Sequence, residues 1–145
     1  FEPVNSRAVQ ENIRLNNVAD KVKLFSCGLG NRQEKVNFNL MSTVTGSSYI
    51  DRTSNEAGSI PIERLDDLIP ELGLDLQSQL IVKLDVEGME TEVLEGARNF
   101  ITQAANLRII FERYEGDNTV NDKLSALADF TFERIDRFNY LATKK

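Results

Sequence analysis

An apolar run that ends in carboxylates and passes through glycine into a helical repeat limits the folds open to this chain more than any other stretch. It is Leu80 to Ala97, LIVKLDVEGMETEVLEGA. Leu80 to Val86 is apolar apart from Lys83 and Asp85, and Glu87-Gly88 closes it. A run of this length between turn signals reads as a buried strand, with a parallel sheet as its natural host. Past Gly88 the spacing becomes helical. Met89, Val93, Leu94, Ala97, Phe100 and Ile101 share one face, which predicts a helix from Met89 to about Thr102. Strand, turn and helix in this order are half of a βαβ unit, and ligands of open α/β sheets bind just beyond the carboxyl ends of such strands. Asp85 and Glu87 occupy that rim.

The flanking sequence extends the same alternation. Asn5 is placed to cap a helix running to about Asn16, with Ala8, Val9 and Ile13 on its apolar face. Val22 to Ser26 predicts a strand that ends at Cys27-Gly28-Leu29-Gly30, and Lys35 to Leu40 alternates like a half-exposed strand. The Ser-, Thr- and Gly-rich stretch 42–59 has the composition of a lid or binding loop. Ile60-Pro61-Ile62 predicts a short edge strand, and Leu65, Leu68 and Ile69 a short helix stopped by Pro70. Leu107 to Glu112 is a second buried strand ending in a carboxylate. A helix capped by Thr119 with Val120, Leu124, Leu127 and Ala128 inside follows, then two antiparallel strands turning near Asp136-Arg137. The pattern predicts one domain over residues 1–145: an α/β, Rossmann-like, mostly parallel sheet with an antiparallel C-terminal strand pair. Phe1-Glu2-Pro3 reads as the end of a strand whose start is missing, so the sequence is expected to be a fragment.

The totals exclude several functions. A net charge of −6 argues against a nucleic-acid-binding face, and no apolar run approaches membrane-spanning length. A single cysteine rules out an internal disulfide and a multi-cysteine zinc site, which fits a reducing, cytoplasmic location. Histidine is absent, so acid–base work falls to Asp, Glu, Lys, Tyr or Cys27.

Phe1-Glu2-Pro3 before a helix and an asparagine pair, Thr45-Gly46-Ser47-Ser48, Leu65-Asp66-Asp67, and Lys83-Leu84-Asp85-Val86-Glu87-Gly88 with Glu90, Leu94, Gly96 and Ala97 follow one another in order. Together they resemble the FkbM-type methyltransferases. The Lys-x-Asp-x-Glu-Gly element is the most specific part of that resemblance. It implies a Rossmann-like fold, S-adenosylmethionine as cofactor, and methylation of oxygen on a small-molecule or glycan acceptor such as a sugar or natural product. It also implies that a first strand with a glycine-rich loop should precede Phe1.

On this reading Glu2 accepts hydrogen bonds from the ribose hydroxyls, the use made of acidic residues in dinucleotide folds. Ser26, Cys27 and Gly28 face the adenine, although a lone cysteine after a strand is more often a buried small apolar residue. Asp85, Glu87 and Glu112 stand at the reacting end, Asp85 also touching the cofactor. Asp85 or Glu87 would take the acceptor's proton, or hold a divalent cation, or only cap the following helix. Lys83 pairs with Glu112 or reaches solvent at an edge. Gly96 implies close helix-to-sheet packing, and Ser47 and Ser48 contact an acceptor or are plain loop. The competing readings are a degenerate, non-catalytic binding module and, third, a nicotinamide-binding domain. Oligomeric state is not legible.

Overall fold

The computed structural model of the chain describes residues 1–40, 48–51, 58–86 and 88–145. Helix α1 (Ser6–Leu15) is followed by the strands β1 (Gly28–Leu29), β2 (Glu34–Leu40), β3 (Ser48–Asp51) and β4 (Ile60–Glu63). Helix α2 (Leu65–Leu72) leads to β5 (Gln79–Leu84), and helices α3 (Glu90–Gly96) and α4 (Arg98–Gln103) lead to β6 (Asn106–Glu112). Helix α5 (Thr119–Leu127) and strands β7 (Phe130–Arg134) and β8 (Asn139–Lys144) come last.

The strands form two four-stranded sheets, ordered β1-β4-β2-β3 and β5-β6-β8-β7. Both are mixed, which corrects the expectation of a mostly parallel sheet. Among the described residues, β1 with β4 and β5 with β6 are parallel. The pairs β2–β3, β2–β4, β6–β8 and β7–β8 are antiparallel. Connection length explains this, because parallel neighbours need a long crossover. Helices α3 and α4 provide one between β5 and β6, whereas β7 and β8 are joined by a tight turn. The antiparallel C-terminal pair is as expected.

Residues 22–26, expected as a strand, lie outside any strand. Their tie to the chain start is the Glu2 N–H donating to the Phe25 carbonyl at 3.0 Å, with the Phe1 and Phe25 rings stacked at 5.1 Å. Strand pairing begins only at Gly28. Strand β4 also departs from expectation, since it lies inside its sheet between β1 and β2. Pro61 is tolerated because β1 is short and pairs with Ile62 and Glu63, leaving Pro61 opposite Lys35 alone. Pro70 lies within α2, which runs on to Gly73, a left-handed residue at φ 65°.

The main core lies between the second sheet and helices α3, α4 and α5. Alternation in β6 buries Leu107, Ile109 and Phe111 on that side, where they meet Leu84, Ala142, Val93, Leu94, Phe100, Ile101 and Leu124. The opposite side is more open. Ile81 is 63% exposed, and β5 hydrogen-bonds to β6 alone among the described residues.

The expected single helix from Met89 to Thr102 is broken at Ala97. Both oxygens of Asp66 accept backbone N–H groups of the second piece, from Asn99 at 3.0 Å and Phe100 at 2.9 Å. Those amides are thereby drawn away from the preceding turn, and Asp66 acts as a cap donated from α2. Gly96 ends α3 against the Gly30 carbonyl, which stands where any Cβ at that position would be. The close packing expected of Gly96 is thus present, with a backbone partner just past the end of β1. At the far end of α4, the Lys144 ammonium donates to the carbonyls of Ile101, Thr102 and Ala104 at 2.7–2.9 Å.

Candidate active site

Strands β5 and β6 run parallel with Leu84 opposite Phe111. One residue further, Asp85 follows the end of β5 and Glu112 ends β6, so the two carboxylates stand at the ends of neighbouring strands. Glu112 stands opposite Asn139 of β8, so Asp85, Glu112 and Asn139 form a row along the rim. All three belong to the side of the sheet that turns away from the main core.

Lys83 settles onto Asp85, its ammonium 3.1 Å from Oδ2, with both side chains about half exposed (46% and 48%). The expected partner, Glu112, is corrected by the pleat. Residues 83 and 85 project to one face two positions apart, so the shortest reach is along the strand. An exposed pair of this kind contributes little to stability and leaves the carboxylate open to other donors. Asp85 does not cap α3. The N-cap position is Met89, which makes no side-chain capping bond, and the Glu90 carboxylate accepts the Gly88 N–H at 3.3 Å. Gly88 takes φ 91°, a conformation that favours glycine and makes the sharp exit from the strand. Glu87 and Ser47 lie outside the described residues, and of Ser48 only its place at the start of β3 is described.

Glu2 lies at the entry to α1. Its Oε1 accepts the backbone N–H groups of Val4 and Asn5, both at 2.7 Å, so the carboxylate rather than the Asn5 side chain tethers the helix start. The second oxygen of a carboxylate fixed in this way can still accept a further donor. Glu2 is linked to the expected adenine-side residues through Pro3, whose ring lies 3.9 Å from where a Cβ on Gly28 would be. Ile62 comes closer still to that point, at 2.7 Å, so the small size of Gly28 serves packing within the first sheet. Cys27 is buried at 7% exposure, and burial above all, then the negative charge of Glu63, pushes its thiol up from the ordinary value. That suits a packing residue better than a nucleophile. Ser26 is exposed.

Gly30 joins the two halves of this region. Met89, at the start of α3, approaches the side of Gly30, and Gly96 abuts its carbonyl. Asn31 then donates to Glu95 at 2.9 Å, and Lys123 pairs with the same carboxylate at 2.5 Å. Both partners hold Glu95 below the usual carboxylate range, Lys123 contributing most. The first sheet is in this way docked to α3 and α5 behind the rim. Among the described residues, no hydrogen bond or ion pair links Glu2 directly to Asp85 or Glu112.

Arg113 was not foreseen. Its guanidinium lies 4.6 Å from the Tyr140 ring centre, and its Nε is buried without a hydrogen-bond partner. Only its position after a strand-end carboxylate marked it in the sequence, and the ring beneath it comes from β8, 27 residues further along by numbering (140 − 113).

The chain matches the methyltransferase FkbM domain family over residues 1–140. No curated protein matches it. Among solved structures, the crystal structure of methyltransferase FkbM from Methylobacillus flagellatus is similar, with a TM-score of 0.57 and 18% identity. The similarity covers 94% of this chain and 32% of that one, so the chain spans about a third of that relative. At this identity the likeness carries the fold.

Proposed function

Because the chain belongs to the FkbM methyltransferase family, we propose that it is part of an S-adenosylmethionine-dependent enzyme that methylates a hydroxyl oxygen of a sugar or natural product. The observation that carries this reading is the pair of carboxylates, Asp85 and Glu112, crowning adjacent parallel strands. When bound, the cofactor supplies an electrophilic methyl group on a sulfonium. The chain's own contributions are to hold that group, to align an acceptor oxygen behind the methyl, and to take a proton.

Glu2 is suited to the ribose hydroxyls, since one of its oxygens is already fixed by the amides of Val4 and Asn5. Ser26, Cys27 and Gly28 follow on the adenine side, with Gly28 beside Pro3. Asp85 and Glu112 face the acceptor, with Glu87 assigned to the same end. One of these carboxylates would take the hydroxyl proton of an acceptor oxygen aligned for methylation. Alignment accounts for much of the acceleration. A positioned base adds about 10²- to 10⁴-fold. Lys83, 3.1 Å from Asp85, holds that carboxylate in place at the rim.

Calorimetric titration of the full polypeptide with S-adenosylhomocysteine tests the assignment. Glu2→Ala is expected to weaken binding by about tenfold or more, as expected for loss of hydrogen bonds to a charged acceptor. Asp85→Asn should retain binding better than it retains methyl transfer. Absence of binding in the unaltered protein, or undiminished affinity in Glu2→Ala, overturns the reading.

A further inference from the structure

Arg64 and Arg113 are both half-buried, yet their charges are met differently. Arg64 stands among counter-ions, 3.6 Å from Asp66 and 3.3 Å from Asp67. Arg113 has no carboxylate within ion-pair reach among the described residues. Its Nη1 lies 3.5 Å from Asn121 Oδ1, the outer limit of a hydrogen bond, and its buried Nε donates to nothing. Asp117 feels this charge, but its carboxylate is taken by the Thr119 N–H at 2.8 Å. A charge withdrawn from water without a partner is costly, so a half-buried guanidinium is ordinarily paired. A buried donor left unspent in a native fold calls for a reason, and an absent ion is one such reason.

The guanidinium is nevertheless held in place. It lies 4.6 Å from the Tyr140 ring centre, and that ring is stacked at 6.1 Å on the fully buried Phe111. The Arg113 N–H donates to the Phe138 carbonyl at 2.8 Å, prolonging the β6–β8 ladder by one step. Arg113 follows Phe111 by two residues, so it approaches the strand end from the helix side, whereas Glu112 belongs to the open side. The cation therefore stands apart from the carboxylate row, at the carboxyl end of a parallel strand, where ligands of α/β sheets bind.

We infer that Arg113 is the receptor for an oxyanion, the carboxylate or phosphate group of a small-molecule ligand, at a site separate from the carboxylate row. A guanidinium offers parallel N–H donors that match two oxygens of either group. A water or a neutral carbonyl would satisfy a donor and leave the charge unmet; an oxyanion answers both. The site goes beyond the methyltransferase reading and does not depend on it.

The test is an NMR titration of the full polypeptide, following the arginine side-chain Nε–H resonances and the backbone amides. Inorganic phosphate, acetate and chloride are added in turn at constant ionic strength. The Arg113 Nε–H signal, identified by its loss in Arg113→Lys, is expected to shift saturably with phosphate or acetate and not with chloride. The tighter of the two names the group the site takes. In Arg113→Lys, read through the amides of residues 112–115, affinity should fall about tenfold, since an ammonium keeps the charge but loses the fork. Arg113→Gln should abolish the shifts. Unchanged amide spectra elsewhere show that each variant is folded; if Arg113→Gln is not, Arg113→Lys carries the expectation alone. No saturable shift with either oxyanion, an equal shift with chloride, or undiminished affinity in Arg113→Lys overturns the inference.

Discussion

The side chain of Asp66 is only 4% exposed, lies 3.6 Å from Arg64 in an ion pair, and holds two amides of α4. Removing it leaves two amides of the first turn of α4 without their acceptor, one of them part-buried. Asp66→Ala is expected to destabilise the fold by about 2 kcal/mol or more, and Asp66→Asn by about half as much, since the amide keeps one acceptor oxygen. Denaturant unfolding of the variants measures both. The Leu65-Asp66-Asp67 signal is plain in the sequence, but its purpose is not, because the amides it serves are more than 30 residues away. The same contrast holds for the rim. Asp85 and Glu112 are legible as strand-end carboxylates, whereas the pairing of Lys83 with Asp85 rather than Glu112 depends on pleat direction. Sequence periodicity constrains that direction without naming the partner.

At the scale of elements, the break between α3 and α4 is the instructive case. Apolar spacing carries through Ala97 without interruption, so periodicity alone predicts one helix. The interruption comes from two tertiary contacts, Asp66 capping α4 and Gly30 pressed onto Gly96. Alanine is intrinsically preferred over glycine in a helix by about 1 kcal/mol. Gly96→Ala should nonetheless destabilise the protein, by about 1–3 kcal/mol, because its methyl group would meet a backbone carbonyl that cannot rotate away. Thermal unfolding decides the sign. Strand β2 was legible from alternation because a half-exposed strand writes its pleat into the sequence. Residues 22–26 were not, since an apolar run becomes a strand only where another strand meets it.

For the molecule as a whole, acid should loosen several joints together. Glu95 is held low chiefly by Lys123, Asp117 by hydrogen bonds from Thr119, and Asp136 by the amides of Asn139 and Phe138. Each binds its proton less readily folded than unfolded. Their stabilising effect is full above the ordinary values of 4.5 for Glu and 3.8 for Asp, and disappears as pH falls through the lowered folded-state values. Melting temperature measured against pH should decline on that side, less steeply in Asp136→Asn. These joints dock the helices and fasten the C-terminal hairpin. One border has no such fastening. Strand β5 offers its outer N–H and C=O groups unpaired among the described residues, with Ile81 bare beside them, and such a border recruits whatever extended backbone comes near. Since β5 runs straight into Asp85, any strand added along that border would lie beside the rim.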